Sequence, residues 1–76
     1  MKNIDKLVKI FAQALGVNQK IITADLQYNS IPEWDSVAHM YLIGEIEDAF
    51  DIMLDTDDII DMSSVQKALE IVEKYL

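Results

Sequence analysis

The chain contains no cysteine, which excludes a disulfide staple, a thiolate metal site and a cysteine nucleophile. All 6 of its basic residues are lysine, so there is no arginine to clamp a phosphate or carboxylate in two places. Only 2 glycines are present, too few for a glycine-rich phosphate loop. With a single histidine a histidine-based metal site is not expected, and no Ser–His pairing is legible in the sequence. No apolar run approaches the ~20 residues of a membrane span. The opening Met1-Lys2-Asn3-Ile4-Asp5 has no signal-peptide pattern and leads directly into an amphipathic stretch. These absences lead us to expect a cytoplasmic protein with no catalytic residues and no metal site.

What is present is apolar and acidic. At 76 residues the chain makes one expected domain, residues 1–76, of a size that buries only about 60% of its unfolded surface. Its hydrophobic content of 51% is ample for a core. The net charge is -8, from 14 acidic against 6 basic residues. Such a field repels nucleic acid and attracts basic partner surfaces over long range. The plentiful carboxylates fall on faces expected to be solvated. A monomer is expected.

From Lys2 to about Leu15, apolar Ile4, Leu7, Val8, Phe11 and Leu15 form the stripe of a half-buried helix, and Gly16 stands at its stop position. A long connection runs from Val17 to Asp35. Ile21, Ile22, Leu26, Tyr28 and Ile31 are placed to pin it across the core, with a short helical turn possible at Thr23–Leu26.

The stretch Ile31-Pro32-Glu33-Trp34-Asp35-Ser36-Val37 organises the rest of the chain. Pro32 biases Ile31 toward an extended conformation, and helical spacing of apolar residues begins at Val37. A helix therefore starts at Ser36 and runs to about Asp51, with Asp35 or Ser36 as its N-cap. A phosphate on the Ser36 hydroxyl would sit at the positive end of the helix dipole. Turning this helix by ~100° per residue groups Leu42, Ile43, Ile46, Ala49, Phe50 and Met53 on the core side. Val37, Met40, Tyr41, Gly44, Glu47, Asp48 and Asp51 fall on the outward side. That face begins apolar and ends acidic, as a docking surface would, unless loop residues such as Trp34 cover Val37 and Met40. Gly44 lets a partner approach closely, or is merely tolerated. His39 lies on the inward arc as a partly buried, hydrogen-bonded imidazole, or else as a contact to a group carried on Ser36.

Asp55-Thr56-Asp57-Asp58-Ile59-Ile60-Asp61 lacks the glycine and glutamate of a calcium-binding EF-hand loop. It reads as a short helix capped by Asp55 or Thr56, with Ile59, Ile60 and Met62 toward the core. Ser63-Ser64-Val65-Gln66 fits a capping box with Ser63 as N-cap. A last helix then runs to about Tyr75 and buries Val65, Ala68, Leu69, Val72 and Leu76. The expected fold is all-α: a small four-helix bundle of three longer helices and a short third one, with a long loop between the first two.

The order of Asp35-Ser36, an apolar residue, a long helix ending in Glu47-Asp48-Ala49-Phe50, a short acidic helix and an amphipathic last helix resembles the acyl carrier protein family. The match in register runs from Asp35 to Leu76 and is looser before it. The resemblance implies 4′-phosphopantetheine attached covalently to Ser36, with Asp35 aiding recognition by a phosphopantetheinyl transferase. It implies a phosphoprotein that holds acyl groups as thioesters, serving fatty acid or polyketide biosynthesis. Val37, Met40, Tyr41, Glu47 and Asp48 would face acyl-loading and acyl-transferring enzymes with basic docking surfaces. Leu42, Ile46, Phe50, Ile59 and Met62 would lodge the acyl chain, with helix three the element that moves aside. Val37 replaces the family's usual leucine, Ala38 and Tyr41 replace early acidic residues, and Glu33-Trp34 precedes Asp35. These departures resemble carriers of specialised pathways, such as polyketide or peptide assembly, polysaccharide acylation or D-alanyl transfer, and the alternative within the class is an aminoacyl, D-alanyl or peptidyl carrier. A reading of another class is an unmodified acidic helical interaction module in which Ser36 is only a cap.

Overall fold

A computed structural model describes residues 2–76. The helices are α1 (Asn3–Leu15), α2 (Ser36–Phe50), α3 (Thr56–Asp61) and α4 (Val65–Tyr75), as the periodicity predicts. α1 packs against both α2 and α4, whereas α3 is tied to α2 and α4 by side-chain hydrogen bonds. Leu7 and Phe11 of α1, Leu42 and Ile46 of α2, and Val65 and Val72 of α4 are fully enclosed. Gly16 ends α1 in the left-handed region (φ 70°), with its amide donating to the Ala12 carbonyl. Lys6 closes the other end of the α1–α2 pair. Its Nζ donates to the Ala49 carbonyl at 2.7 Å and lies 4.6 Å from the centre of the Phe50 ring.

The long connection is ordered by backbone hydrogen bonds to the start of α4. Tyr28 donates to the Ser63 carbonyl at 2.8 Å, while Val65 and Gln66 donate to the carbonyls of Leu26 and Ala24 at 3.0 and 2.9 Å. The connection thus pairs first-turn amides of α4 that no helical carbonyl can reach. This also moves the α4 cap one residue from its expected place. Ser64, not Ser63, accepts the Lys67 amide on its hydroxyl (3.0 Å), and the Gln66 side chain reaches forward to Glu70. The only 3-10 turn among the described residues is Gln19–Ile21, capped by Asn18; Thr23–Leu26 closes a single hydrogen-bonded turn instead of a helix. Ile22 is buried, Ile21 is partly exposed, and Tyr28 is partly exposed while its ring packs edge-on to Trp34 and His39.

Trp34 decides between the two readings of the outward face of α2. It does not cover Val37 or Met40 but turns inward and is fully buried, edge-on to Phe11 with ring centres 5.2 Å apart. A hydrogen bond from Trp34 to the Ile31 carbonyl and one from Asn29 to the Trp34 carbonyl fold the loop so that this side chain enters the core. Three apolar residues expected inside lie outside: Met53, Ile60 and Leu76 are 86%, 76% and 64% exposed. α2 ends before Met53, α3 is too short to bury both of its isoleucines, and Leu76 lies beyond the last turn of α4. Ile71 takes the inward place on α4 instead.

Candidate functional site

Asp35 and Ser36 divide two tasks at the start of α2. Asp35 has extended backbone geometry, and its Oδ1 accepts the Ala38 amide at 2.8 Å, so Asp35 is the cap. Ser36 is the first helical residue and is exposed. Among the described residues no hydrogen bond uses its hydroxyl, nor the amides of Ser36 and Val37. Because Asp35 supplies the capping oxygen, the serine oxygen is available for chemistry. A phosphodiester there would meet two unpaired amides and the positive end of the helix. The residues present therefore fit a phosphate-linked group at this position.

An apolar cleft of about 340 Å³ opens beside Ser36. Ser36, His39 and Met40 form its α2 side, Ile59 and Ile60 its α3 side, and Met62, Ser63 and Tyr28 close it. Of the five residues expected to lodge an acyl chain, Ile59 and Met62 line this space. Leu42 and Ile46 are fully buried in the bundle, and Phe50 is half-buried against the core beside Lys6; these three do not line the cleft. No pattern in the sequence singles out Tyr28 and Ser63 as lining residues. They come from the connection and the α3–α4 junction, whose shapes are set by hydrogen bonds instead of periodicity.

Among the lining residues His39 is buried, and both of its ring nitrogens are engaged. Trp34 Nε1 donates to Nδ1 at 3.0 Å. An indole N–H can only donate, so Nδ1 is the acceptor and the ring proton is on Nε2. That nitrogen then donates to the Ile59 carbonyl at 2.9 Å. His39 thereby joins the loop, α2 and α3, a role no spacing in the sequence signals.

On the outward face Val37, Met40 and Tyr41 are 78%, 59% and 59% exposed. The Glu45 carboxylate, as hydrogen-bond acceptor and as a negative charge, pushes the Tyr41 hydroxyl above its ordinary value. Asp48 is exposed, but Glu47 is half-buried and its Oε2 accepts the Leu54 amide at 2.8 Å. α3 is fastened at its base to α4. Lys74 donates to Asp58 Oδ1 at 2.7 Å, the Tyr75 hydroxyl donates to Oδ2, and the Asp55 amide donates to the Tyr75 oxygen at 3.0 Å. Hydrogen bonds from Lys74 and then Tyr75 hold the Asp58 carboxyl below its ordinary value; Asp58 in turn raises both partners.

Four helices with an accessible serine at the head of the second define a carrier fold whose chemistry happens on an attached group. Residues 5–72 match the family described as "Phosphopantetheine attachment site". The chain is 35% identical over 78 residues to the acyl carrier protein of Buchnera aphidicola subsp. Baizongia pistaciae (strain Bp), covering 100% of this chain and 99% of that protein. It superposes on the solution NMR structure of holo acyl carrier protein from Geobacter metallireducens with a TM-score of 0.85 and 28% identity, covering 99% of this chain and 86% of that one. The chain belongs to the phosphopantetheine-binding, acyl carrier protein family, whose members carry and do not catalyse. Family membership implies a phosphopantetheinyl transferase and acyl-handling enzymes as partners. Among the described residues no helix is long and apolar enough to cross a membrane.

Proposed function

We propose that this chain, as one unit of residues 1–76, is a cytoplasmic acyl carrier of a specialised pathway, with 4′-phosphopantetheine on Ser36. The observation that supports it best is the division of labour between Asp35, which caps α2, and Ser36, whose hydroxyl is left accessible and unbonded. In the attachment reaction Ser36 Oγ loses its proton and bonds to the phosphorus of coenzyme A that bears the pantetheine. The pyrophosphate linkage breaks and adenosine bisphosphate leaves. The transferase supplies the base and the metal for this step, so Ser36 needs no base of its own. When bound, the group supplies a thiol that holds an acyl chain as a thioester.

The chain's own residues then present and recognise. Asp35 keeps Ser36 at the first position of the helix and offers its second carboxylate oxygen to the transferase. Val37, Met40 and Tyr41 give partner enzymes an apolar landing surface next to Ser36, and Asp48 supplies charge further along. Glu47 contributes to docking chiefly by fixing the turn after α2. The cleft among Met40, Ile59, Met62 and Tyr28 shelters the acyl group. Support for a specialised pathway comes from the same surface: an aromatic and apolar face at Val37, Met40 and Tyr41, with Ala38 between them, in place of early carboxylates.

Incubation with coenzyme A, magnesium and a broad-specificity phosphopantetheinyl transferase, followed by intact mass measurement, tests the attachment. The expected result is one added arm on wild type and none on Ser36→Ala. An unmodified wild type beside a modified control carrier would point to an interaction module instead.

A further inference from the structure

His39 lines the cleft beside Ser36, and what it contributes there is polar. His39 Nε2 donates to the Ile59 carbonyl, so a hydrogen bond of 2.9 Å spans the gap between α2 and α3. Trp34 holds the imidazole from behind through Nδ1 and is itself fully buried against Phe11. Further along α2, Leu42 and Ile46 are fully enclosed. An acyl chain that the arm folds back into the cleft meets apolar walls at Met40, Ile59 and Met62. To go deeper it must part His39 from Ile59.

We infer that the His39–Ile59 hydrogen bond is a stop that limits how long an acyl chain this carrier shelters, so that its cargo class is short acyl groups. The inference rests on the carrier reading above. Each methylene buried in the cleft favours the sheltered state by about fourfold. Breaking a buried hydrogen bond and leaving its groups unpaired costs about five- to 150-fold, the gain from roughly one to four methylenes. Shelter thus grows with chain length until the cleft is full and then levels off over roughly the next one to four carbons, the number needed to offset the bond. His39 acts here as a positioning and specificity-determining residue that lines the site without reacting.

The test loads wild type and His39→Asn with the series of straight acyl groups from acetyl to decanoyl, using their coenzyme A thioesters and the transferase. Intact mass verifies loading. Shelter is read as the slowing of thioester cleavage by hydroxylamine relative to the free acyl-pantetheine. The Trp34 indole N–H resonance reports on the stop itself. In His39→Asn the amide oxygen can still accept from Trp34, but the side chain is too short to reach Ile59.

For wild type, protection rises by up to about fourfold per carbon and then reaches a plateau within the series, with the indole resonance constant to that length. In His39→Asn the plateau moves to longer chains. Protection that climbs without a break to decanoyl, protection that never varies with length, or an unchanged plateau in the variant overturns the stop while leaving the carrier intact. If His39→Asn does not fold, the wild-type plateau and the indole resonance decide alone. Failure to load any arm on wild type, beside a loaded control, overturns the carrier reading and this inference together.

Discussion

Glu47 and Leu54 are joined across the turn that links α2 to α3: the Leu54 amide donates to Glu47 Oε2 at 2.8 Å. The Glu47 carbonyl also accepts the amides of Asp51 and Ile52, so one residue closes the helix and anchors the segment leading to α3. A helical wheel puts Glu47 and Asp48 side by side as outward carboxylates, yet the two have different jobs. Asp48 faces solvent.

The consequence is a separation of stability from docking. Glu47→Lys removes a charge-assisted hydrogen bond and should destabilise the fold by about 1 to 3 kcal/mol in urea unfolding. Asp48→Lys should stay within about 0.5 kcal/mol of wild type. If Asp48 steers partners, its variant instead lowers transferase kcat/KM at low salt and flattens the salt dependence. Equal loss of stability in both variants would show that the Glu47–Leu54 bond does not hold the turn.

Asp35 allows a similar separation at the other end of α2. Asp35→Ala loses the cap and should cost about 0.5 to 2 kcal/mol, whereas Asp35→Asn keeps a capping oxygen and should cost only a few tenths. Modification of Ser36 should fall in both, because the asparagine lacks the charge that the transferase is proposed to read. Intact mass against time, with unfolding curves beside it, separates the two effects. A normal modification rate for Asp35→Asn would remove the carboxylate from recognition.

How much of this the sequence discloses depends on which force decides each feature. α1, α2 and α4 are legible because burial of one helical face leaves a periodic record: Leu7, Phe11 and Leu15, or Leu42 and Ile46. The exposed place of Ser36 at the head of α2 is legible because a proline, an acidic cap and a helix start coincide there. Trp34 and His39 are not, because their meeting depends on a loop held in place by hydrogen bonds to α4, and backbone amides of distant segments leave no trace in residue type. The α4 cap shows the same limit. Ser63 and Ser64 are equally eligible by composition, and the pairing of Tyr28 with the Ser63 carbonyl favours the second. Periodicity also misplaces Met53 and Ile60, because it assumes a helix that continues or one long enough to bury a full face.

The latch between Asp58, Lys74 and Tyr75 predicts how stability varies with pH. The Asp58 carboxyl titrates below its ordinary value of 3.8 in the fold, first through Lys74 and then through Tyr75. Its contribution is therefore complete above the unfolded value and is lost as pH falls through the lower, folded one. Lys74 and Tyr75 are raised above 10.5 and 10.0 by Asp58, so their contributions are complete below those values and fade as pH rises through the folded ones. Stability should stay level across neutral pH with respect to this cluster and fall at both extremes. Asp58→Asn should flatten both falls, read by urea midpoints at each pH. An unchanged acid limb in that variant would assign acid unfolding to other carboxylates.

Gly44 tests whether the outward face of α2 is shaped for a partner. It is exposed in mid-helix, and a Cβ added there would meet nothing within 4 Å. With no steric penalty, Gly44→Ala should gain about 0.8 to 1 kcal/mol from helix propensity alone. A larger residue such as Gly44→Gln also suits a helix and should stabilise nearly as well, but it projects a side chain one turn beyond Met40 and Tyr41. If partners approach the backbone there, modification by the transferase or turnover by an acyl-handling enzyme should fall in the order glycine, alanine, glutamine while stability does not track it. Three equal rates would mean that the glycine is simply tolerated and that docking is confined to the turn bearing Val37, Met40 and Tyr41. A loss of stability in Gly44→Ala would contradict the open space observed at that position.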